Sequence, residues 1–81
     1  MNSEVNHQMN AVRFKLLTLI EQHGILGSRE LAEHLGSTRR ASAMLLLRSR
    51  RDGLLLYHQR SRQHYLSARG TARLQWLRGQ S

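Results

Sequence analysis

The sequence predicts a small, mainly helical α+β domain with one β-hairpin, and three observations lead to this prediction. The chain has 81 residues, which is enough for one domain with a modest hydrophobic core. Its apolar residues recur at helical spacing as far as Gly53 and then change to a pattern typical of short strands. Glycines and N-capping residues divide the helical part into segments. The predicted order is helix, short strand, helix, helix, hairpin, helix.

The first predicted helix covers residues 9–23, and residues 1–8 before it are polar and predict a flexible arm. Gly24 supplies a left-handed turn at the end of this helix. Ile25 and Leu26 stand between two glycines and are too few for a helix, so they predict a short edge strand. The apolar residues that define the buried face of the first helix are Val12, Leu16, Leu17 and Ile20.

The next two helices are predicted at about residues 29–35 and 39–52, with a tight glycine-containing turn between them. Ser28 is a favourable N-cap for the earlier helix, and either Ser37 or Thr38 is favourable for the later one. Two helices joined by a turn of about three residues form a helix-turn-helix arrangement.

The hairpin is predicted from residues 54–59 and 63–66, which favour strands and flank the polar tip Arg60-Ser61-Arg62. Residues 67–70 then predict a turn, and Thr71 predicts the cap of a last helix. This order of elements is that of a winged helix-turn-helix domain, in which the hairpin is the wing. We expect that domain to extend over residues 9–79.

The charge of the chain restricts its partners. It has 13 Lys and Arg residues against 5 Asp and Glu residues, a formal net charge of +8, so nucleic acid or an anionic membrane surface is the natural partner class. All of these cations except Lys15 are arginines, whose planar fork of donors fits phosphate oxygens and guanine edges. A GC-rich genome that favours arginine codons is the alternative explanation of this bias.

Several classes of function lack support in the sequence. The chain has no cysteine, which excludes disulfides, thiolate zinc sites and cysteine nucleophiles. The longest apolar runs, residues 44–47 and 54–57, are too short to span a bilayer, and the polar N-terminus does not resemble a signal peptide. No serine stands in a nucleophile-elbow motif and no glycine run cradles phosphate. We therefore expect a cytoplasmic, nucleoid-associated protein that is not an enzyme and needs no cofactor, metal or membrane.

Three short motifs resemble known families. Residues 29–40, RELAEHLGSTRR, are similar to the "E-L-A-E-x-L-G-x-[ST]-R" helix-turn-helix core of bacterial transcriptional regulators. Residues 53–55, GLL, fall where those families have "G-L-[IV]" after the third helix. Residues 65–74, YLSARGTARL, resemble the "Y-x-L-T-x-x-G-x-x-x-L" ending of MarR-type and PadR-type repressors. Together the matches cover about residues 28–74 and imply a small sequence-specific regulator that binds double-stranded DNA.

The resemblance implies that the third helix enters the major groove and that the wing touches the neighbouring backbone or minor groove. Solvated surface arginines, or arginines that complement the dipole at the helix C-terminus, are the alternatives for the same residues. The implied nucleic-acid contacts are Ser37, Thr38, Arg39 and Arg40 at the start of the third helix, Arg48 and Arg51 with Arg50 at its end, and Arg60 and Arg62 at the hairpin tip, with Gln59 and Gln63 as companions.

The middle of the third helix departs from this pattern. The families place branched apolar residues where this chain has Ser42 and Ser49, and polar readers where it has Ala43, Met44 and Leu47. Three explanations are open: the helix is rotated relative to the alignment, Met44 and Leu47 contact thymine methyl groups, or this face contacts a protein. The last explanation makes a protein-interaction module, docking through Met44 and Leu47, the alternative to DNA binding.

Two further pairs of residues are candidates for a functional role. Trp76 and Leu77 either close the core or contact a second copy of the chain, and we expect a homodimer because palindromic operators require two-fold symmetry. His58 and His64 lie opposite each other if Ser61 is the centre of the hairpin. No third ligand stands near them in sequence, so we expect wing-surface histidines rather than a metal site.

Overall fold

The computed structural model describes the backbone of residues 3–79 and the side chains of residues 10–79. This part of the chain is mainly helical with one two-stranded antiparallel hairpin, so the predicted α+β class and the predicted order of the four helices and the hairpin are confirmed. None of its helices has the length and the apolar character that crossing a membrane requires. The elements are α1 (Ser3–His23), α2 (Ser28–Leu35), α3 (Arg39–Arg51), β1 (Leu55–His58), β2 (Gln63–Leu66) and α4 (Ala68–Arg78).

Helix α1 is longer than the sequence predicts. It begins at Ser3 rather than at residue 9, so residues 3–8 of the expected arm have helical backbone, and residues 1–2 lie outside the described part. No glycine or proline stands between Ser3 and His23, so no residue in this range interrupts the helix between Ser3 and the predicted start at residue 9. Leu16, Leu17 and Ile20 are fully buried, as predicted, whereas Val12, predicted on the same face, is 46 % exposed.

Helix α2 has a different cap from the predicted one. Its N-cap is Gly27, and Ser28 is the first helical residue. The Glu30 carboxylate reaches back and accepts a hydrogen bond from the Gly27 N–H at 2.9 Å, which is half of a capping box. The prediction of Ser28 as the cap is therefore wrong. The Glu30 carboxylate, at the third helical position, binds the N–H of Gly27, so Gly27 is the cap and Ser28 is already helical. The helix ends at Gly36, whose φ of 63° is left-handed.

The register of the hairpin differs from the expected one. Tyr57 pairs with His64 and His58 pairs with Gln63, so the loop is residues 59–62 and its centre lies between Arg60 and Ser61. His58 and His64 are consequently on opposite faces, because one residue of slip reverses the face of a side chain. The expectation that the two histidines lie opposite each other is therefore wrong. The loop closes with Arg62 in the left-handed region, at φ 56°.

The predicted strand at residues 25–26 is reduced to one bridge. Leu26 and His64 exchange both backbone hydrogen bonds, at 2.9 Å and 2.8 Å. This bridge ties the segment before α2 to the outer side of β2, so the hairpin has a fixed position relative to the helices.

The hydrophobic core lies between α1, α4, the hairpin and the inner faces of α2 and α3. Leu77 belongs to this core, with 6 % exposure. Of the two roles predicted for it, closing the core or contacting a second copy, its burial favours closing the core of its own domain. The buried apolar residues are Leu16, Leu17, Ile20, Leu26, Leu31, Leu46, Leu54, Leu55, Leu74 and Leu77.

Helix α4 begins earlier than predicted, because Ser67 and not Thr71 is its N-cap. The Ser67 hydroxyl accepts from the Gly70 N–H at 2.9 Å and donates to the Gly53 carbonyl. Residues 67–70, predicted as a turn, are thus the cap and first turn of the helix. Gly70 is required there because a Cβ at this position lies 2.0 Å from the Leu54 carbonyl oxygen.

We expect Gly70→Ala to destabilise the fold by about 1–3 kcal/mol, the usual cost of overpacking, although alanine is the better helix former. The new methyl group meets backbone and not a flexible side chain. Urea denaturation followed by far-ultraviolet circular dichroism measures the change. Gly79→Ala, at a position with an ordinary φ of −71°, is the control and should be nearly neutral. Equal stability of Gly70→Ala and the wild type would contradict this account of the helix junction.

Candidate nucleic-acid interface

The buried face of α3 shows how this helix is oriented. Ser42, Leu46 and Ser49 are buried, and their spacing places them on one side of the helix. The two serines therefore occupy the inward positions at which the resembling families carry apolar residues. This excludes the explanation that α3 is rotated relative to the alignment.

A hydroxyl pair makes this burial feasible. Ser42 is 1 % exposed, and its Oγ lies 2.8 Å from the Oγ of Ser37. A buried hydroxyl without a partner is costly, whereas a paired one is not. Ser37, expected at the nucleic-acid interface, thus has a structural contact that fixes the turn between α2 and α3.

The start of α3 is capped and carries two exposed arginines. Of the two predicted candidates, Ser37 and Thr38, the N-cap is Thr38, and its Oγ1 accepts from the Ala41 N–H at 3.0 Å. Arg39 and Arg40 follow and are exposed. Their N–H groups precede the first hydrogen bonds of the helix, so backbone donors and two guanidinium groups face solvent at one point. Such a point attracts anions.

The outward face of α3 is mixed. Arg40, Met44, Leu47 and Arg51 follow each other at intervals of four, three and four residues, which places them in one stripe opposite the core. Met44 is 42 % exposed, Leu47 is half-buried, and the arginines at both ends of the stripe are exposed together with Arg48. The exposed apolar surface is thus a short patch between cationic ends.

The three arginines at the end of α3 differ in how exposed they are. Arg48 and Arg51 are exposed, as a role at the interface requires. Arg50 is half-buried, and its guanidinium carbon lies 4.8 Å from the centre of the Tyr57 ring, a cation–π distance. Arg50 therefore joins α3 to the hairpin.

The hairpin loop is ordered by its own hydrogen bonds. The His58 Nδ1 accepts from the Ser61 N–H at 3.3 Å and lies 2.9 Å from the Ser61 hydroxyl. Arg60 and Arg62 are both exposed in this loop. Gln59 is exposed as well, whereas Gln63 is half-buried beside Gly27. The sequence-based prediction of an arginine pair at an exposed tip agrees with this arrangement.

A cleft of about 260 Å³ lies between α3, the start of α2 and the hairpin. It brings Arg39 of α3 and Arg62 of the loop to the same cavity, although 22 residues separate them in the sequence (62 − 39). We call this cavity the α3–hairpin cleft. Its lining residues are Ser28, Arg39, Ala43, Leu46, Tyr57, Arg62 and His64.

His64 also lines this cleft, and the expectation that it is a wing-surface histidine is wrong because its side chain is buried. Its side chain packs against the Tyr57 ring, with ring centres 4.9 Å apart, and its exposure is only 8 %. Neither Nδ1 nor Nε2 has a hydrogen-bond partner among the described residues. Burial, and then the charge of Arg50, hold the pKa of His64 below its ordinary value of 6.5. The ring is therefore neutral and unpaired at the wall of a cationic cleft.

A larger groove, of about 340 Å³, lies between α1, the end of α2 and α3. Its walls include Val12, Leu35 and Leu45, and Lys15 is the charged residue among those that line it. This groove has less cationic character than the α3–hairpin cleft, so it fits an anionic ligand less well.

Trp76 lies apart from these surfaces, on α4. It is 50 % exposed, and the Arg73 guanidinium lies 5.4 Å from its ring centre. It therefore differs from its neighbour Leu77, which is 6 % exposed.

We compared the chain with protein-family models, with curated proteins and with solved structures, and none of the three comparisons finds a match.

His64→Leu tests whether the unpaired imidazole costs stability. We expect this variant to gain about 1–3 kcal/mol at neutral pH, because it removes unpaired buried nitrogens. The wild type should also lose stability as the pH falls below about 6.5, since the unfolded chain takes up a proton on His64 more readily than the folded chain does. Chemical denaturation at pH 7.5 and pH 5.5 measures both effects. If the two proteins lose equal stability between these pH values, His64 does not have the environment described.

Proposed function

We propose that this chain is a winged helix-turn-helix protein that binds double-stranded DNA, with α3 in the major groove and the hairpin against the neighbouring backbone. The observation that carries the proposal is a set of exposed arginines on α3 and the hairpin loop, none of which makes an ion pair with any side chain of residues 10–79. They are Arg39, Arg40, Arg48, Arg51, Arg60 and Arg62.

The acidic side chains support the same assignment by their positions. Glu21 pairs with Arg78 and Asp52 pairs with Arg13, so two of the 5 acidic residues of the chain are paired with other cations. The hydrogen bond from Arg78 holds the pKa of Glu21 below its usual value, which keeps this carboxylate charged. Glu30 is engaged with the N-cap of α2. The arginines of α3 and the loop therefore keep their charge free for phosphates.

The apolar patch on α3 also takes part in the proposed contact with DNA. Met44 and Leu47 lie between Arg40 and Arg51 on the outward stripe, where base edges face a helix that occupies the major groove. Apolar side chains in that position contact thymine methyl groups. We therefore propose that the patch selects for thymine while the arginines at its ends bind phosphate or guanine.

A regulator of this size reads a palindrome as a two-fold dimer. Trp76 is the residue that we propose for the contact between copies, since half of its surface is exposed on α4. Leu77 has no part in that contact.

The direct test removes the two arginines at the start of α3. A pool of random duplexes is first selected for binding to the wild type, and fluorescence anisotropy then gives affinities for the selected and a scrambled duplex. We expect Arg39→Ala with Arg40→Ala to weaken binding at least tenfold, about 1.4 kcal/mol, and to reduce the dependence of affinity on salt. The matched control is Lys15→Ala with Arg69→Ala, which removes equal charge from exposed positions of α1 and α4 and should bind nearly as the wild type does. Equal losses in both double variants would indicate binding by net charge alone, and no loss in either would exclude α3 as the reader.

The second candidate function is a protein-interaction module, and the exposure of Met44 is the observation that favours it. Met44→Glu separates the two functions, with Gln75→Glu on α4 as the control for the added charge. DNA binding by α3 requires that Met44→Glu lose affinity for the selected duplex. Unchanged affinity, together with loss of a protein partner, would assign the patch to the protein module instead.

A further inference from the structure

Two residues with energetically unfavourable local structure lie in the same cleft. Arg62 adopts φ 56°, a region in which glycine or asparagine is favoured over a long side chain. His64 is buried with both ring nitrogens unpaired, which an apolar residue would avoid. Both residues line the α3–hairpin cleft. Strained or unsatisfied residues that converge on one cavity indicate a binding site.

The lining of the cleft determines the charge of its ligand. Its lining includes two arginines, Arg39 of α3 and Arg62 of the loop, and two hydroxyl-bearing residues, Ser28 and Tyr57. No carboxylate is among the residues that line it. A site with two cations, neutral hydroxyls and no acid binds an anion, and paired guanidinium groups suit the several oxygens of a phosphoryl group.

The size of the cleft restricts the ligand further. Its volume of about 260 Å³ is just below the range of about 300–1,000 Å³ that is usual for small-molecule sites. A phosphoryl group fits within this volume.

We propose that the α3–hairpin cleft is a binding site for the phosphoryl group of a phosphate ester, with Arg39 and Arg62 as its counter-charges and His64 as the polar group of its wall. The ester is either a diester of the nucleic-acid backbone, in which case the site rests on the proposed function, or a free nucleoside monophosphate. In both cases the bound anion gives His64 a negatively charged neighbour, which the residues lining the cleft do not supply.

Proton uptake by His64 accompanies binding. The residues that share the cleft with the ring are Arg39 of α3, Arg62 of the loop, Tyr57 of β1 and the neutral Ser28 of α2, and the charge of Arg50 of α3 also acts on the ring. Burial, and then the charge of Arg50, disfavour a protonated imidazole. An anion among the arginines offsets their charge, so the pKa of His64 rises when the site is filled.

The test follows the His64 ring signals by nuclear magnetic resonance during titration with three probes: inorganic phosphate, adenosine 5′-monophosphate and a short duplex. We expect at least one probe to shift the His64 signals and to raise the pH at which they titrate. Arg62→Gly should lose at least fivefold in affinity for that probe and yet melt no lower than the wild type, because glycine suits the backbone at this position. Arg69→Gln removes an exposed cation of α4 that does not line the cleft, so it is the control for lost charge and should keep its affinity. Arg62→Gln provides the same test if the glycine variant unfolds.

The probes separate the two sources of the ester. A response to the duplex alone assigns the site to the backbone, and a response to free phosphate or the nucleotide assigns it to a small ligand, even if the duplex does not bind at all. The proposal is overturned if no probe moves the His64 signals, or if Arg62→Gly and Arg69→Gln lose affinity equally.

Discussion

The backbone of Leu54 is the point on which the arrangement of α3, the hairpin and α4 depends. Its N–H donates to the Ser49 carbonyl at the end of α3, and its carbonyl accepts from the Ser67 N–H at the start of α4. The same carbonyl faces Gly70 so closely that no side chain fits between them. The Leu54 side chain is buried in the core. One residue thus fixes how the hairpin leaves α3 and how the last helix returns.

A second connection fixes the other edge of the hairpin. The bridge between Leu26 and His64 joins β2 to the segment that leads into α2, and the stacking of Arg50 on Tyr57 joins β1 to α3. The loop therefore has a defined position beside the start of α3. This geometry brings Arg39 and Arg62 to one cleft, and it is the structural basis for treating the helix and the loop as one cationic surface.

The sequence predicts the elements well because their signals are local. Helical spacing and glycines identify four helices, and the cap of α3 is limited to Ser37 or Thr38, of which Thr38 is the cap because its hydroxyl acts within three residues. The other caps fail for tertiary or competing reasons: Ser67 replaces Thr71 because Gly70 must approach Leu54, and Gly27 replaces Ser28 because of Glu30.

The register of the hairpin and the composition of the cleft are less accessible to sequence reasoning. A polar loop without glycine fits more than one register, and a difference of one residue decides which side of the sheet His64 occupies. The arginines are identifiable as candidates from charge and motif. Their meeting with a buried, unpaired histidine depends on packing between segments far apart in the chain, and no local pattern encodes it.

The central claim is that α3 and the hairpin loop together form the surface that binds DNA. The most direct measurement is a map of backbone amide shifts in nuclear magnetic resonance on addition of a selected duplex. The account predicts that the perturbed amides cluster in residues 38–51 and 59–64, with α4 and the middle of α1 unchanged. Perturbations centred on α4, or spread evenly over the basic surface, would contradict it.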